Sequence, residues 1–306
     1  MIPTLRSLPD PGALAVELGT RYHLGFTRCT LLRSLVNDVY ELATDDARYV
    51  LKLYRYGGRG PDEIRWETGL SEHLRASGVL APPVFPLPDG DAVGLLETPE
   101  GSRPFTLLGY VEGSKPRPPF TDELYADFGR QLAAFHDAAD NYTSPYYRPP
   151  ADLAHVLDRP LEEILAVDAT EENLLRSLAG AVRNNLAQYS KAGTCHGDVT
   201  LDNVLLTNQG LLLLDFDLSA VGPLAADFGG VATTPHWDAF KSGYTAVRPI
   251  TPEDEAAIPY LQVVGSIFNL SFHIVDKPRW RGAESRGEGW AAAELDGLRK
   301  AGDVLL

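Results

Sequence analysis

Thr194-Cys195-His196-Gly197-Asp198-Val199-Thr200-Leu201-Asp202-Asn203-Val204-Leu205-Leu206, followed by Leu211-Leu212-Leu213-Leu214-Asp215-Phe216-Asp217, decides how the rest of the chain is read. The apolar runs Val204–Leu206 and Leu211–Leu214 flank Asn208-Gln209-Gly210. That is the pattern of two short buried strands joined by a tight turn. Asp198 and Asn203 stand five positions apart on the loop entering the first strand, and Asp215 closes the second. A hairpin of this kind brings two carboxylates and a carboxamide to one mouth. Hard oxygen donors without a His or Cys set suit a magnesium ion that keeps several waters and takes further oxygens from phosphate. Phosphoryl transfer asks for the same parts: a carboxylate that orients the attacking hydroxyl, and an Asn and an Asp that hold the metal. A solvated Asx-rich turn would account for Asp202 and Asn208, but not for this spacing with a strand-end Asp.

His196-Gly197-Asp198, then Asn203 after four residues, then a strand ending in Asp215, resembles the catalytic loop and metal-binding Asp of the aminoglycoside phosphotransferase and choline kinase-like family. Protein kinases carry His-Arg-Asp and Asp-Phe-Gly at these stations. Here Gly197 replaces the Arg and Asp217 stands in place of the Gly, which points to the small-molecule branch. The resemblance implies Asp198 as catalytic base and Asn203 and Asp215 as magnesium ligands. It also implies a supporting role for His196, a role for Asp217 as a further metal ligand or a supporting group, and Asp227 bracing the catalytic loop from a helix start.

The chain has 306 residues, enough for two modest cores, and 44% hydrophobic with 23% charged residues is ordinary for a globular enzyme. A net charge of −15 speaks against nucleic acid as a partner and favours a cationic substrate. No apolar run approaches the ~20 residues that span a bilayer, and the first residues lack a signal-peptide core, so no membrane partner is expected. Two distant cysteines, Cys29 and Cys195, form no disulfide framework, which makes a reducing cytoplasm the default location.

Upstream, Pro11 and Gly12–Tyr22 read as a short helix, and Phe26–Leu32, Val36–Ala43 and Arg48–Tyr54 as an antiparallel meander. In the family resembled, the first turn of that meander covers the ATP phosphates. Here it is Arg33-Ser34-Leu35-Val36-Asn37, without glycine, and Ser34 and Asn37 would take that part. Lys52, flanked by strand residues, would be the phosphate-binding lysine. Its partner would be a glutamate on the helix Asp62–Ser77, Glu67 or Glu63, with the resemblance favouring Glu67. Phe105–Val111 resembles the strand and hinge, so backbone groups at Gly109, Tyr110 and Val111 would meet adenine.

Asp122–Ala139 reads as a helix with Leu124, Phe128, Leu132 and Phe135 on one face and a packing histidine, His136, near its end. Asn141–Pro150 is a surface connection or part of a substrate lid. Ala151–Lys191 holds one or two helices broken near Ala166–Thr170. Glu253–Val275 is apolar almost all round and so expected to be buried, and His273 and Asp276 at its end are candidate substrate contacts. The acceptor pocket is expected in Asn141–Pro150 and Thr233–Pro249.

The resemblance runs from about Val36 to Tyr260. It implies an α+β, two-lobed protein-kinase-like fold: a small antiparallel-sheet N-lobe over residues 1–113 and a larger, mainly helical C-lobe over 114–306. The implied function is ATP- and magnesium-dependent transfer of the γ-phosphoryl group to a hydroxyl of a small molecule: an amino alcohol, aminoglycoside, homoserine or sugar. A bacterial stress-response protein kinase and a nucleotide-binding pseudokinase are the alternatives. The sequence leaves open the acceptor, ATP against GTP, and the oligomeric state.

Overall fold

A computed structural model describes residues 2–306. In chain order the elements are α1 (Pro11–Tyr22), β1 (Arg28–Ser34), β2 (Asp38–Ala43), β3 (Arg48–Leu53), α2 (Pro61–Ala76), β4 (Val84–Phe85), β5 (Gly94–Thr98) and β6 (Gly101–Gly109). They continue with α3 (Asp122–Ala139), α4 (Arg159–Val167), α5 (Glu172–Leu186), β7 (Ala192–Cys195), β8 (Val204–Thr207), β9 (Gly210–Leu213) and β10 (Ala220–Pro223). The last helices are α6 (Trp237–Thr245), α7 (Pro252–Ser271), α8 (Lys277–Arg281) and α9 (Trp290–Leu305).

The chain divides into two compact units. The first takes in residues up to Pro116, and also Asn141–Arg148 and Asp202–Asp217. The second takes Arg117–Asp140, Pro149–Leu201 and Leu218–Leu306. The sequence reading places one boundary at 113/114, whereas the β8–β9 hairpin and the Asn141–Arg148 connection belong to the sheet unit.

In the first unit an antiparallel sheet runs in the order β1-β2-β3-β6-β4, with β5 also paired to β6. Alternation sets its two faces. Tyr40, Leu42, Tyr49, Leu51, Leu53, Phe105 and Leu107 pack with Leu14, Leu18 and Tyr22 of α1 into one core. Asp10 starts α1 by accepting from the Ala13 N–H at 2.9 Å. Arg103, buried on β6, ion-pairs with buried Asp38 at 2.7 Å and donates to the Tyr54 carbonyl at 2.9 Å.

The second unit is mainly helical, with the small antiparallel pair β7–β10 at the base of the loop that carries Asp198. Pro252–Arg281 is helical throughout, and by length and composition it passes for a membrane span. Polar residues such as Gln262 and Asn269 break any uninterrupted apolar run while leaving the average apolar. Half of its most apolar window is buried in the unit, where α7 packs against α4, α5 and α9.

Helices α3 and α6 cross at Gly129 and Gly243, where any Cβ would overlap backbone: Phe240 carbonyl at Gly129 and Ala126 carbonyl at Gly243. Gly243→Ala is expected to force the helices apart at a cost of about 3 kcal/mol, seen as a lower denaturant midpoint. Gly180→Ala, in the α5 interior with open space around it, should instead stabilise by about 0.5 to 1 kcal/mol. Equal midpoints for the two variants would refute the close crossing.

Candidate active site

In the sheet unit, Lys52 sits on β3 with its ammonium 2.8 Å from Glu67 of α2 and 3.0 Å from Asp215. Glu63, one turn earlier, is used elsewhere: its carboxylate accepts from the Gly60 N–H and from Arg59, both at 2.9 Å, and caps α2. The glutamate that meets Lys52 is therefore Glu67. Burial works against the Lys52 charge, but Asp215, Asp217 and Glu67 outweigh it and hold its pKa well above the usual lysine value. Lys52, and then Arg33, hold the Asp215 carboxyl far below the usual carboxylate range. Burial pushes Glu67 up.

Asp215 follows the β8–β9 hairpin, whose register pairs Val204 with Leu213. Beyond that pair the Leu214 N–H donates to the Asn203 carbonyl at 2.8 Å, so Asn203 and Asp215 leave the hairpin at the same end. Asp215 has φ 66°, a left-handed conformation that Asp tolerates better than most residues. Its carboxylate oxygens are both engaged, Oδ1 by Lys52 and Oδ2 by Arg33 at 3.1 Å. A cavity of about 150 Å³ opens here, with Val39, Val50, Leu108, Leu214 and Phe216 as apolar walls and Arg33, Lys52, Glu67 and Asp215 at its polar end.

Asp217 works as a clasp. Its carboxylate accepts from Asn37 at 2.8 Å and from Arg59 at 3.4 Å, with Lys52 at 3.9 Å. Its carbonyl accepts from Arg59 at 2.9 Å and from Arg148. Asn37 thus reaches Asp217 and the Arg55 N–H, while Ser34 donates to Asp38 at 2.7 Å. Neither lines the cavity. At the expected hinge the Gly109 N–H donates to Pro83 and the Tyr110 N–H to Arg48, so these two N–H groups are used in the fold, and Gly109, Tyr110 and Val111 do not line the cavity. The Asn141–Arg148 connection packs on α2: the Tyr142 hydroxyl donates to the Trp66 carbonyl at 2.6 Å, and the Arg148 guanidinium lies over the Trp66 ring.

Asp198 belongs to the helical unit and is half-buried, its N–H donating to His196 Nδ1 at 3.3 Å. The loop that carries it is held by its backbone. Buried Asp227 accepts from the His196 N–H at 2.6 Å and the Gly197 N–H at 2.9 Å, and Ser219 donates to the His196 carbonyl at 2.9 Å. Gly197 has φ 83°, and a Cβ there would overlap the Leu218 carbonyl. Glycine in place of arginine thus has a backbone cause. Behind Asp227, His136 Nε2 stands 2.9 Å from its carboxylate and the Tyr244 hydroxyl 2.7 Å from His136 Nδ1. Burial opposes the Asp227 charge, but His136, His196 and the Gly197 N–H keep its pKa below the usual value. His273 stacks on Trp290 at 6.1 Å, and Asp276 pairs with Arg279 at 3.4 Å.

Sequence reasoning missed Arg33, Arg59 and Arg148. No motif marks them. The signal for Arg33 lay in the glycine-free turn itself.

The phosphotransferase enzyme family profile matches residues 29–253. A protein of Deinococcus radiodurans is 33% identical over 278 residues, covering 84% of this chain and 80% of that one. A homoserine kinase of Xanthobacter autotrophicus is 28% identical over 259 residues, covering 78% and 77%. Among solved structures, a microcompartment-associated aminopropanol kinase superposes with TM-score 0.76 at 23% identity, covering 96% of this chain and all of that one. An amicoumacin kinase in complex with AMP-PNP and Ca2+ superposes with TM-score 0.78 at 15% identity, covering 96% and 94%. These structural likenesses establish the α+β protein-kinase-like fold. Fold and family profile agree, and the chain belongs to the phosphotransferase enzyme family, as a small-molecule kinase acting on hydroxyl groups.

Proposed function

We propose that the enzyme moves the γ-phosphoryl group of ATP, with magnesium, to the hydroxyl of a small amine-bearing alcohol of the homoserine or aminopropanol type. The observation that carries the nucleotide half is the Lys52 ammonium between Glu67 and Asp215 at the polar end of an apolar-walled cavity. Such a cavity suits a purine, and such a cation suits its phosphates. The acceptor half is supported by the homoserine kinases among the relatives, by the aminopropanol kinase likeness and by the net charge of −15.

The donor set fits magnesium. Asn203 and Asp215 offer hard oxygens at one end of the hairpin, and among the described residues no cluster of three His, Cys, Asp or Glu forms a closed metal cage. An open, oxygen-only site suits an ion that completes its shell with water and phosphate. When bound, magnesium would neutralise charge on the transferring phosphates. Lys52 would hold the phosphates, Asn203 and Asp215 the metal, and Asp198 would accept a hydrogen bond from the acceptor hydroxyl and align it.

The test is ADP release with ATP and magnesium against homoserine, aminopropanol, aminoglycosides and sugars, with Asp198→Ala as control. Acceptor-dependent release by an amino alcohol, lost in the control, is expected. Release with sugars alone would remove the amine requirement. Nucleotide binding without turnover on any acceptor would overturn the reading.

A further inference from the structure

Strand β1 holds one residue more than its partner allows. Leu31 pairs with Tyr40, but Arg33, not Leu32, pairs with Val39. This is a β-bulge at Leu32. Had the register of Leu31 continued, Leu32 would oppose Val39 and Arg33 would oppose Asp38, on the other face of the sheet. With the bulge, Arg33, Val39, Lys52 and Thr106 stand in one row across β1, β2, β3 and β6. Residues directly opposite one another share a face, and all four line the cavity. The extra residue therefore turns a guanidinium from the far side of the sheet into the row of the phosphate-site lysine. It leaves the Leu32 side chain half exposed.

The two cations on Asp215 are unequal. Lys52 is buried, 9% exposed at its side chain, and is also fixed by Glu67. Arg33 is 58% exposed, and Asp215 is its carboxylate partner. An exposed ion pair of this kind contributes little to stability and exchanges readily for a stronger anion. A guanidinium fork matches phosphate oxygens better than a single carboxylate oxygen at 3.1 Å.

We propose that Arg33 is a nucleotide-phosphate-binding residue, exchanging Asp215 Oδ2 for a phosphate oxygen when nucleotide enters. It thereby does with a side chain what a glycine-rich turn does with backbone N–H groups. This rests on the reading of the cavity as the nucleotide site. The exchange also leaves an Asp215 oxygen open to a metal.

Calorimetric affinities for ADP and for adenosine, in excess magnesium, test the proposal on wild type, Arg33→Ala and Arg33→Lys. Arg33→Ala should bind ADP about tenfold more weakly and adenosine unchanged. Arg33→Lys should fall between, keeping charge but losing the fork. Unchanged ADP affinity in Arg33→Ala would overturn the proposal, as would an equal loss for ADP and adenosine, which would mean an effect on cavity shape. Wild-type protein that binds neither ligand would remove the nucleotide reading itself, and Arg33's role with it. The exposure of Arg33 keeps folding out of the comparison, and matching melting temperatures check this.

Discussion

Asp198→Ala is expected to lower turnover about a thousandfold while leaving ADP affinity and melting temperature near wild type. The separation of effects follows from how the loop is held. Its backbone hangs on Asp227 through the N–H groups of His196 and Gly197, and on Ser219 through the His196 carbonyl. None of these bonds uses the Asp198 carboxylate. On the proposed reading, nucleotide affinity depends on Lys52 and the cavity walls, which lie in the other unit. Steady-state kinetics with the best acceptor, beside calorimetric ADP binding, would check both halves. Turnover within threefold of wild type would take Asp198 out of the reaction. A loss of ADP binding would show it acting on the nucleotide instead.

Asp227→Ala should be the most destabilising single change in the catalytic loop's support, at about 3 to 5 kcal/mol, with turnover falling alongside. It strands the buried His196 N–H and His136, whose other ring nitrogen Tyr244 occupies, and removes the acceptor of the Gly197 N–H. Asp227→Asn should fall between, since an amide has one acceptor oxygen where the site presents N–H donors to both carboxylate oxygens. The acid dependence gives a second readout. The folded pKa of Asp227 is depressed, so its contribution is fully present above the ordinary Asp value of about 3.9 and is lost as pH falls through the folded value. The stability gap between wild type and Asp227→Asn should thus stay level from about pH 5 upward and narrow in acid below about pH 4. A gap unchanged down to pH 2 would mean that the folded state does not depress the pKa of Asp227.

What could be read from the sequence was whatever depends on order and local period. The helix Asp122–Ala139, the β8–β9 hairpin and the meander follow from alternation, from 3.6-residue spacing and from turn chemistry. The approach of Lys52 to Asp215 follows from the order of motifs. Four features had other causes. Arg33 faces the cavity through a one-residue bulge, and no local pattern distinguishes a bulged strand from a regular one. The hinge donors Gly109 and Tyr110 are used by Pro83 and Arg48, a matter of which strand lies alongside. The pair β7–β10 is built from short runs of small residues, Gly and Pro, which have no strand signature. The contacts of Asn141–Arg148 have no local signal either, because the rings it meets, Trp66 and His73, lie some seventy residues away on α2.

The chain passes from one compact unit to the other at 116/117, 140/141, 148/149, 201/202 and 217/218. Lys52 and Asp215, bonded within one unit, are consequently written 163 positions apart with most of the other unit's N-terminal half between them. For recombination this makes the gene indivisible over its middle. A crossover between relatives anywhere from codon 53 to codon 214 hands the lysine of one parent to the aspartate of the other. Chimaeras joined inside that interval inherit a mixed site, whereas exchanges beyond Asp217 pass on Arg33, Lys52, Glu67 and Asp215 as a single inheritance.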